Sequence, residues 1–231
     1  ASVTFADTTG KPVLGYGFAS NLRGDILRKN LTLAGVTAAN KVYDGNTNAT
    51  VTVGSLNGLV GSETLATTTN GTFDNKDAGN AKLVNVTVGL ADGTNGGLAS
   101  NYLAPAGTTT NADITRRQLT GTFSAANKVY DGNTNAAVTV LGLGNLVGSE
   151  TLDTTTTSGS FDTKDAGNAK VVTVTVGLAN GTNGGLASNY LAPAGATTNA
   201  DITRRQLTGT FSAANKVYDG NTNAAVTVLG L

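Results

Sequence analysis

An all-β chain of tandem small modules, each an Ig-like sandwich or β-grasp-like, strung as beads into an extended rod, is the fold class this sequence predicts. Three observations predict it. A long stretch recurs with a period near 88 residues. Short runs alternate Val with Thr, the two-residue period of a half-buried strand. Asn/Gly and Asp-Gly turn signals punctuate those runs, and no segment sustains a 3.6-residue period.

The repeat is legible in three motifs. Asn-Lys-Val-Tyr-Asp-Gly-Asn-Thr-Asn-Ala occurs three times, with Tyr43, Tyr130 and Tyr218 at spacings of 87 and 88 residues. Leu-Ala-Ser-Asn-Tyr-Leu-Ala-Pro-Ala-Gly occurs twice, with Tyr102 and Tyr190 separated by 88 residues. Asp-Ile recurs at Asp25, Asp113 and Asp201, again 88 apart. The spacing therefore predicts one complete module over 31–118 and another over 119–206. Residues 1–30 read as the closing part of a preceding, more divergent module, and 207–231 as the opening of a following one. The parent chain is expected to continue both ways. A solenoid unit runs to only ~20–50 residues. A unit of this length is in the range of a small autonomous domain, hence the expectation of separate beads.

Within a module, Lys170–Val176 is the clearest strand, with Val172, Val174 and Val176 on one face and Thr173 and Thr175 on the other. Val84, Val86 and Val88 repeat that face. Ala137–Leu141, Leu119–Phe123, Ser160–Asp162 and Asp201–Arg204 are further strands, giving six to eight per module. A helical turn is expected near Gly148-Ser149-Glu150. The junction Ala200–Phe211 has no Pro and no Gly/Ser linker, so one module's last strand should run directly into the next module's first.

Composition narrows the function classes. The chain has no Cys, His, Met or Trp, and only 13% of its residues are charged. It therefore holds no thiol nucleophile, no imidazole base and no zinc, haem or iron–sulfur ligand set. Fifteen basic residues balance fifteen acidic ones, so nothing electrostatic calls for nucleic acid or an anionic membrane. No apolar run approaches the ~20 residues of a membrane span. A surface of Thr and Asn with few charges points to an exported protein. No enzymatic activity, cofactor or metal is expected, and a carboxylate pair is the one catalytic option that remains.

Taken together, Lys-Val-Tyr-Asp-Gly, the Phe-Asp-x-Lys-Asp-Ala-Gly-Asn-Ala-Lys turn at 73–82 and 161–170, Ser-Asn-Tyr at 100–102 and 188–190, and a closing Ile resemble the YDG-type repeat of large bacterial adhesins, the filamentous-haemagglutinin-like secreted exoproteins. That resemblance implies secretion, surface display, a Gram-negative source and a stalk or adhesive role, and it implies no ligand. Residues 1–30 depart from the pattern, lacking Ser-Asn-Tyr and carrying Gly15-Tyr16-Gly17-Phe18.

Four residue groups are candidate sites. Tyr130-Asp131-Gly132 reads as a buried tyrosine with a bonded hydroxyl followed by a turn. Asp74, Asp77 and Asn80, with Asp162, Asp165 and Asn168, are candidate calcium ligands, but Ca²⁺ takes six to eight oxygens, and an Asx-stabilised hairpin turn accounts for them. Arg23-Gly24-Asp25 spells an integrin-type tripeptide whose Asp aligns with the structural Asp113 and Asp201. Lys128, Glu150 and Asn189, recurring as Lys41, Glu63 and Asn101, have the residue types of an isopeptide cross-link, against ordinary surface and turn residues.

Two functional readings follow. In the first, the repeats are a structural stalk of a secreted surface adhesin or biofilm-matrix fibre. In the second, they bind a glycan or protein directly and gain by multivalency. Expected partners are neighbouring repeats and, by strand addition from residues 207–231, other copies in a fibre.

Overall fold

The computed structural model describes Thr9 and residues 24–231. Gly24 and Asp25 lie within it, but Arg23 does not, so the Arg23-Gly24-Asp25 tripeptide lies partly outside the described residues, as do Gly15-Tyr16-Gly17-Phe18. The described chain is all-β apart from two single-turn 3₁₀ segments, Ala99–Asn101 and Ala187–Asn189. No helix among the described residues is long and apolar enough to cross a membrane.

The second repeat is built around one five-stranded sheet. Its strand order is Lys128–Val129, Thr197–Thr203, Gly167–Asn180, Leu152–Phe161, Asn135–Ala136. The two long central strands pair antiparallel, Gly159 opposite Val174 and Phe161 opposite Val172. The first strand instead lies parallel to the last, Lys128 opposite Ile202. A hairpin of Thr120–Ala125 with Val138–Gly144 supplies a second layer. Its Phe123, Ala125, Val138 and Val140 pack onto Phe161, Val172, Val174, Val176, Ala200 and Ile202. The expected valine face is therefore the core face, and each such valine contributes roughly 1.5–3 kcal/mol. The first repeat has the same sheet order, with Lys41–Val42 parallel to Thr108–Thr115 and Val84, Val86 and Val88 buried.

The recurring Asp of Asp-Ile fixes an irregularity in this sheet. Ala169 sits at φ +49°, where the register between the Gly167–Asn180 and Thr197–Thr203 strands slips. Asp201 Oδ1 accepts the displaced Ala169 N–H at 2.7 Å, while the Asp201 N–H donates to Asn127 Oδ1 at 2.7 Å. Asp113 does the same for Ala81, at 2.7 Å, and Asn40, at 2.7 Å. A β-bulge leaves one residue out of the ladder, and a carboxylate at this position satisfies it.

Arg117-Gln118 pair in parallel with Tyr190-Leu191 of the second repeat. Two expectations need correction. The stretch Gly148-Ser149-Glu150 is a turn closed by Glu150 N–H donating to Val147 O at 3.0 Å, and the helical turn sits instead at Ala187–Asn189. The repeats are in tandem but are not independent beads. Leu119 and Tyr190 of the second repeat belong to one buried cluster with Tyr43, Phe73, Val84, Val86, Ala112 and Ile114 of the first. Counted as compact units, residues 24–34, 55–68 and 89–106 form one, while 35–54, 69–88 and 107–231 form the other. The first repeat is divided between the two, and the second lies wholly within one. An 88-residue period therefore marks the sequence unit and not the packing unit.

Candidate functional site

The motif Lys-x-x-Asp-Gly-Asn-x-Asn builds a self-contained loop. In the second repeat Asp131 Oδ1 accepts from Lys128 Nζ at 2.8 Å and from the Asn133 N–H at 3.1 Å, and Asn133 Oδ1 accepts the Asn135 N–H at 2.9 Å. Gly132 takes φ +80°, a left-handed conformation that favours glycine. The Lys128 ammonium also lies 5.5 Å from the centroid of the Phe161 ring. The same loop forms at 41–48 and at 216–223. Its output is the position of the tyrosine between the Lys and the Asp.

That tyrosine has three different fates. Tyr43 is 0% exposed, Tyr130 is half-buried and Tyr218 is 93% exposed. Tyr43 and Tyr130 sit in the same Lys-Val-Tyr-Asp-Gly-Asn-Thr-Asn-Ala motif, so local sequence does not set the difference between these two. The repeat that follows Tyr43 contributes to it. Tyr43 is followed by a complete second repeat that packs over it, making an edge-to-face contact with Tyr190 at 5.4 Å between ring centroids. Tyr43 packs in its own repeat's core with Phe73, Val84, Val86, Ala112 and Ile114, as expected, and its bonded hydroxyl reaches Glu150 of the next repeat, so it also joins the modules.

Glu150 is the centre of the joint. It is 9% exposed, and its carboxylate accepts the Tyr43 hydroxyl on Oε1 and the Tyr190 hydroxyl on Oε2, both at 2.6 Å. Lys76 Nζ, from the first repeat, lies 2.9 Å from Glu150 Oε1 and 2.9 Å from the Tyr43 hydroxyl, and 5.5 Å from the Tyr43 ring centroid. Beside it, fully buried Asn189 uses both ends of its amide on the first repeat's Asx turn. Its Oδ1 accepts the Ala78 N–H at 2.8 Å, and its Nδ2 donates to Asp77 Oδ1 at 2.9 Å. No buried side-chain nitrogen or oxygen among the described residues lacks a partner. Charge-assisted bonds of this kind are the strong ones, and a buried network rigidifies only when every member is satisfied.

The ionisation of these groups follows from their contacts. Burial works against the Glu150 carboxylate, but the hydroxyls of Tyr190 and Tyr43 and the Lys76 ammonium outweigh it and hold the group below its ordinary 4.5. Burial and the Glu150 carboxylate push the Tyr190 phenol up to about 12, and both also raise Tyr43. Bonds from Tyr43 and Glu150 raise Lys76 as well. A lowered acid stabilises the fold above its unfolded value and loses that contribution as pH falls through the folded value. A raised phenol stabilises it below its unfolded value and loses that contribution as pH rises through the folded one. The joint should thus contribute fully between about pH 4.5 and 10 and fade at both ends. The stability difference between wild type and Glu150→Gln, measured across pH, should peak in that window; a difference independent of pH would contradict the assignment.

Glu150 and Asn189 are not surface or turn residues but the buried heart of the joint. Lys128 does not join them: its ammonium bonds Asp131 and Asn133, while the lysine on Glu150 is Lys76. The isopeptide trio is therefore not assembled, and Lys41 likewise bonds Asp44 and Asn46. Among the calcium candidates, Asp74 and Asp162 are held by Lys82 and Lys170 at 3.0 and 2.9 Å, Asp77 serves Asn189, and Asp165 lies 3.4 Å from Lys164. Asp74 and Asp162 also accept the Asn75 and Thr163 N–H groups, and in the first repeat Asn75 Oδ1 accepts the Asp77 N–H two residues on at 3.0 Å, the spacing of an Asx turn. No group of three or more carboxylates suited to a metal ion occurs among the described residues. Lys76 and Tyr190 escaped the sequence reading, though both lie in motifs that recur, Lys-Asp-Ala-Gly and Ser-Asn-Tyr.

The turn glycine before the joint carries a direct test. A Cβ on Gly45, at φ +79°, would sit 2.7 Å from Val147 Cγ1 of the second repeat, whereas nothing lies within 4 Å of the same atom on Gly132, at φ +80°. Both changes to Ala incur the left-handed strain of roughly 1 kcal/mol. Gly45→Ala should be the more destabilising of the two in denaturant unfolding, and equal losses would remove Val147 from the joint.

Fold and joint together define a tandem-repeat all-β protein whose consecutive repeats share a core. The chain belongs to the YDG domain family, whose model matches residues 27–111 and 115–200. No curated protein and no solved structure matches it.

Proposed function

We propose that these repeats form a structural stalk of a secreted bacterial surface adhesin or matrix fibre, and that they carry no enzymatic activity. The observation that supports this reading is the joint at Glu150, where the first repeat supplies one half of a buried polar network and the second repeat the other. Such an arrangement couples repeats mechanically. A flexible tether has no use for it, and a spacer that must hold its length does. The parallel first-to-last strand pair and the thin hairpin layer favour the β-grasp-like reading over the Ig-like sandwich. A series of such joints gives a stiff, extended rod outside a Gram-negative cell.

Small-angle scattering on this chain and on one longer by a complete repeat tests the proposal. The maximum dimension should grow by a fixed step per repeat, with the profile of a rod. A profile of freely jointed particles would overturn the stalk reading and leave multivalent ligand binding, for which a glycan and protein panel is the probe.

A further inference from the structure

The chain enters and leaves the second repeat along two stretches that lie side by side and point the same way. Arg117-Gln118 run parallel to Tyr190-Leu191, and Lys128-Val129 run parallel to Ile202-Thr203. At the first contact the Leu119 N–H donates to Leu191 O at 3.0 Å, and the Gln118 side-chain amide donates to Ala192 O at 2.6 Å. Midway, the Thr198 hydroxyl donates to Phe123 O at 3.2 Å. At the second contact the Asp201 N–H donates to Asn127 Oδ1 at 2.7 Å, the Tyr130 N–H to Thr203 O at 2.9 Å, and the Thr203 hydroxyl to Lys128 O at 3.3 Å. The entering stretch, 117–130, is thus fastened to the leaving stretch, 190–203, at both ends and between.

The direction of these contacts decides how they meet tension. A pull along the chain draws the entering stretch toward its N-terminal end and the leaving stretch toward its C-terminal end. Two parallel strands drawn in this way must slide past each other, so the bonds between them share the load at once. Antiparallel strands drawn from ends that lie together would instead open one bond at a time. Parallel pairs are the less common kind in sheets, yet they recur in the first repeat. Lys29-Asn30 lie parallel to Tyr102-Leu103, followed by the Leu31 N–H on Leu103 O at 3.2 Å. Lys41-Val42 lie parallel to Ile114-Thr115, followed by the Tyr43 N–H on Thr115 O at 2.8 Å. Arg116 alone separates the strand ending at Thr115 from the strand beginning at Arg117, so no slack linker takes up the pull.

We propose that the repeat is a tension clamp, which resists pulling because its entering and leaving stretches are bonded in parallel and yield only by shear. The inference rests on the stalk reading for the tension it meets, and adds how that tension is carried. It accounts for recurring residues that the joint leaves unused, Asn127 and Thr203 with their counterparts Asn40 and Thr115, whose side chains bond across the parallel pair in both repeats. Forced unfolding follows the unfolding barrier rather than the net stability, so a repeat of ordinary stability can still hold against a pull in this direction.

Single-molecule pulling of the full chain tests it, through pairs of introduced cysteines, since the chain has none of its own. Arg116→Cys with Arg204→Cys loads the clamp end to end. Arg116→Cys with Ser188→Cys draws on the two stretches where both begin and peels them apart. All three positions are exposed, so both forms should keep the wild-type thermal midpoint. The end-to-end form should lengthen by roughly 300 Å and the peeling form by roughly 250 Å, the first at severalfold the force of the second at equal loading rate. Asn127→Ala should lower the end-to-end force and leave the peeling force unchanged, because its bond opens last from the Arg116 end. Equal forces in the two directions, or a weaker end-to-end force, would overturn the clamp, as would an end-to-end force that Asn127→Ala does not change. Scattering separates this failure from that of the stalk reading. A rod whose repeat yields equally in both directions keeps the spacer without the clamp, and freely jointed particles with a direction-dependent force keep the clamp without the spacer.

Discussion

Glu150→Ala should be among the most destabilising single changes in this chain, and Glu63→Ala, its counterpart 87 residues earlier, should be mild. Removing the Glu150 carboxylate leaves two buried phenol hydroxyls without their acceptor and the Lys76 ammonium without its counter-charge. Hydrogen bonds to a charged group contribute about 1.5–3 kcal/mol each, and stranding the partners of a buried ion adds to the loss. Lys76 is partly exposed and swings out to water, which discounts its share. A loss of about 3–4 kcal/mol remains, or roughly 6–16 °C in the midpoint for a chain of this size. Glu63 meets one phenol and lies less deeply, so about 1 kcal/mol is expected there. Thermal unfolding read by tyrosine fluorescence distinguishes the pair, since the chain has six Tyr and no Trp. Equal losses for Glu63→Ala and Glu150→Ala would mean the glutamate acts within its own repeat.

Tyr43→Ala and Tyr130→Ala make the second contrast. The two tyrosines occupy the same position of the same motif. Tyr43 is fully buried, against Tyr190 and on Glu150, and its truncation should cost about 3–5 kcal/mol, as for other buried aromatics. Tyr130 is half-buried, with Lys164 across its ring, and about 1–2 kcal/mol is expected. Chemical denaturation of both variants gives the ratio directly. A Tyr130→Ala loss as large as that of Tyr43→Ala would mean that the contacts to Tyr190 and Glu150 add nothing to what Tyr43 gains in its own module.

Residues 207–231 mark where local sequence stops deciding structure. They pair Phe211 with Val228 and Ala213 with Val226, as 119–143 pair Phe123 with Val140 and Ala125 with Val138. Their Lys216–Asp219 loop closes as well. Turn chemistry and alternation suffice for those features, which is why the hairpin, the valine faces and the turns were legible beforehand. The short strands Lys128–Val129 and Asn135–Ala136 have no counterpart at 216–217 and 223–224, because they exist only as edges of a long sheet. Leu207 is 63% exposed where Leu119 is 1% exposed, although their flanking sequences on the C-terminal side are identical.

The joint was hidden for the same reason. Glu150 and Asn189 stood out as a rare acid and a recurring amide, so the sequence pointed at the right residues. It paired them with Lys128, their own repeat's lysine, because an 88-residue period invites reading each repeat as closed. The contacts that matter join Tyr43 to Glu150 and Asp77 to Asn189, across 107 and 112 residues. A periodic sequence gives equal support to a partner in the same repeat and to one in the next. In the fold Tyr43 meets Tyr190 and bonds Glu150 of the next repeat, while its own repeat's Glu63 is bonded by Tyr102.

A double-mutant cycle between Tyr43→Phe and Glu150→Gln tests the shared joint most directly. Both changes keep the ring or side-chain volume and remove only the hydroxyl or the charge. A coupling of about 1–3 kcal/mol between residues of different repeats is predicted. Strictly additive losses would mean that the two repeats fold without reference to each other, and would contradict the account.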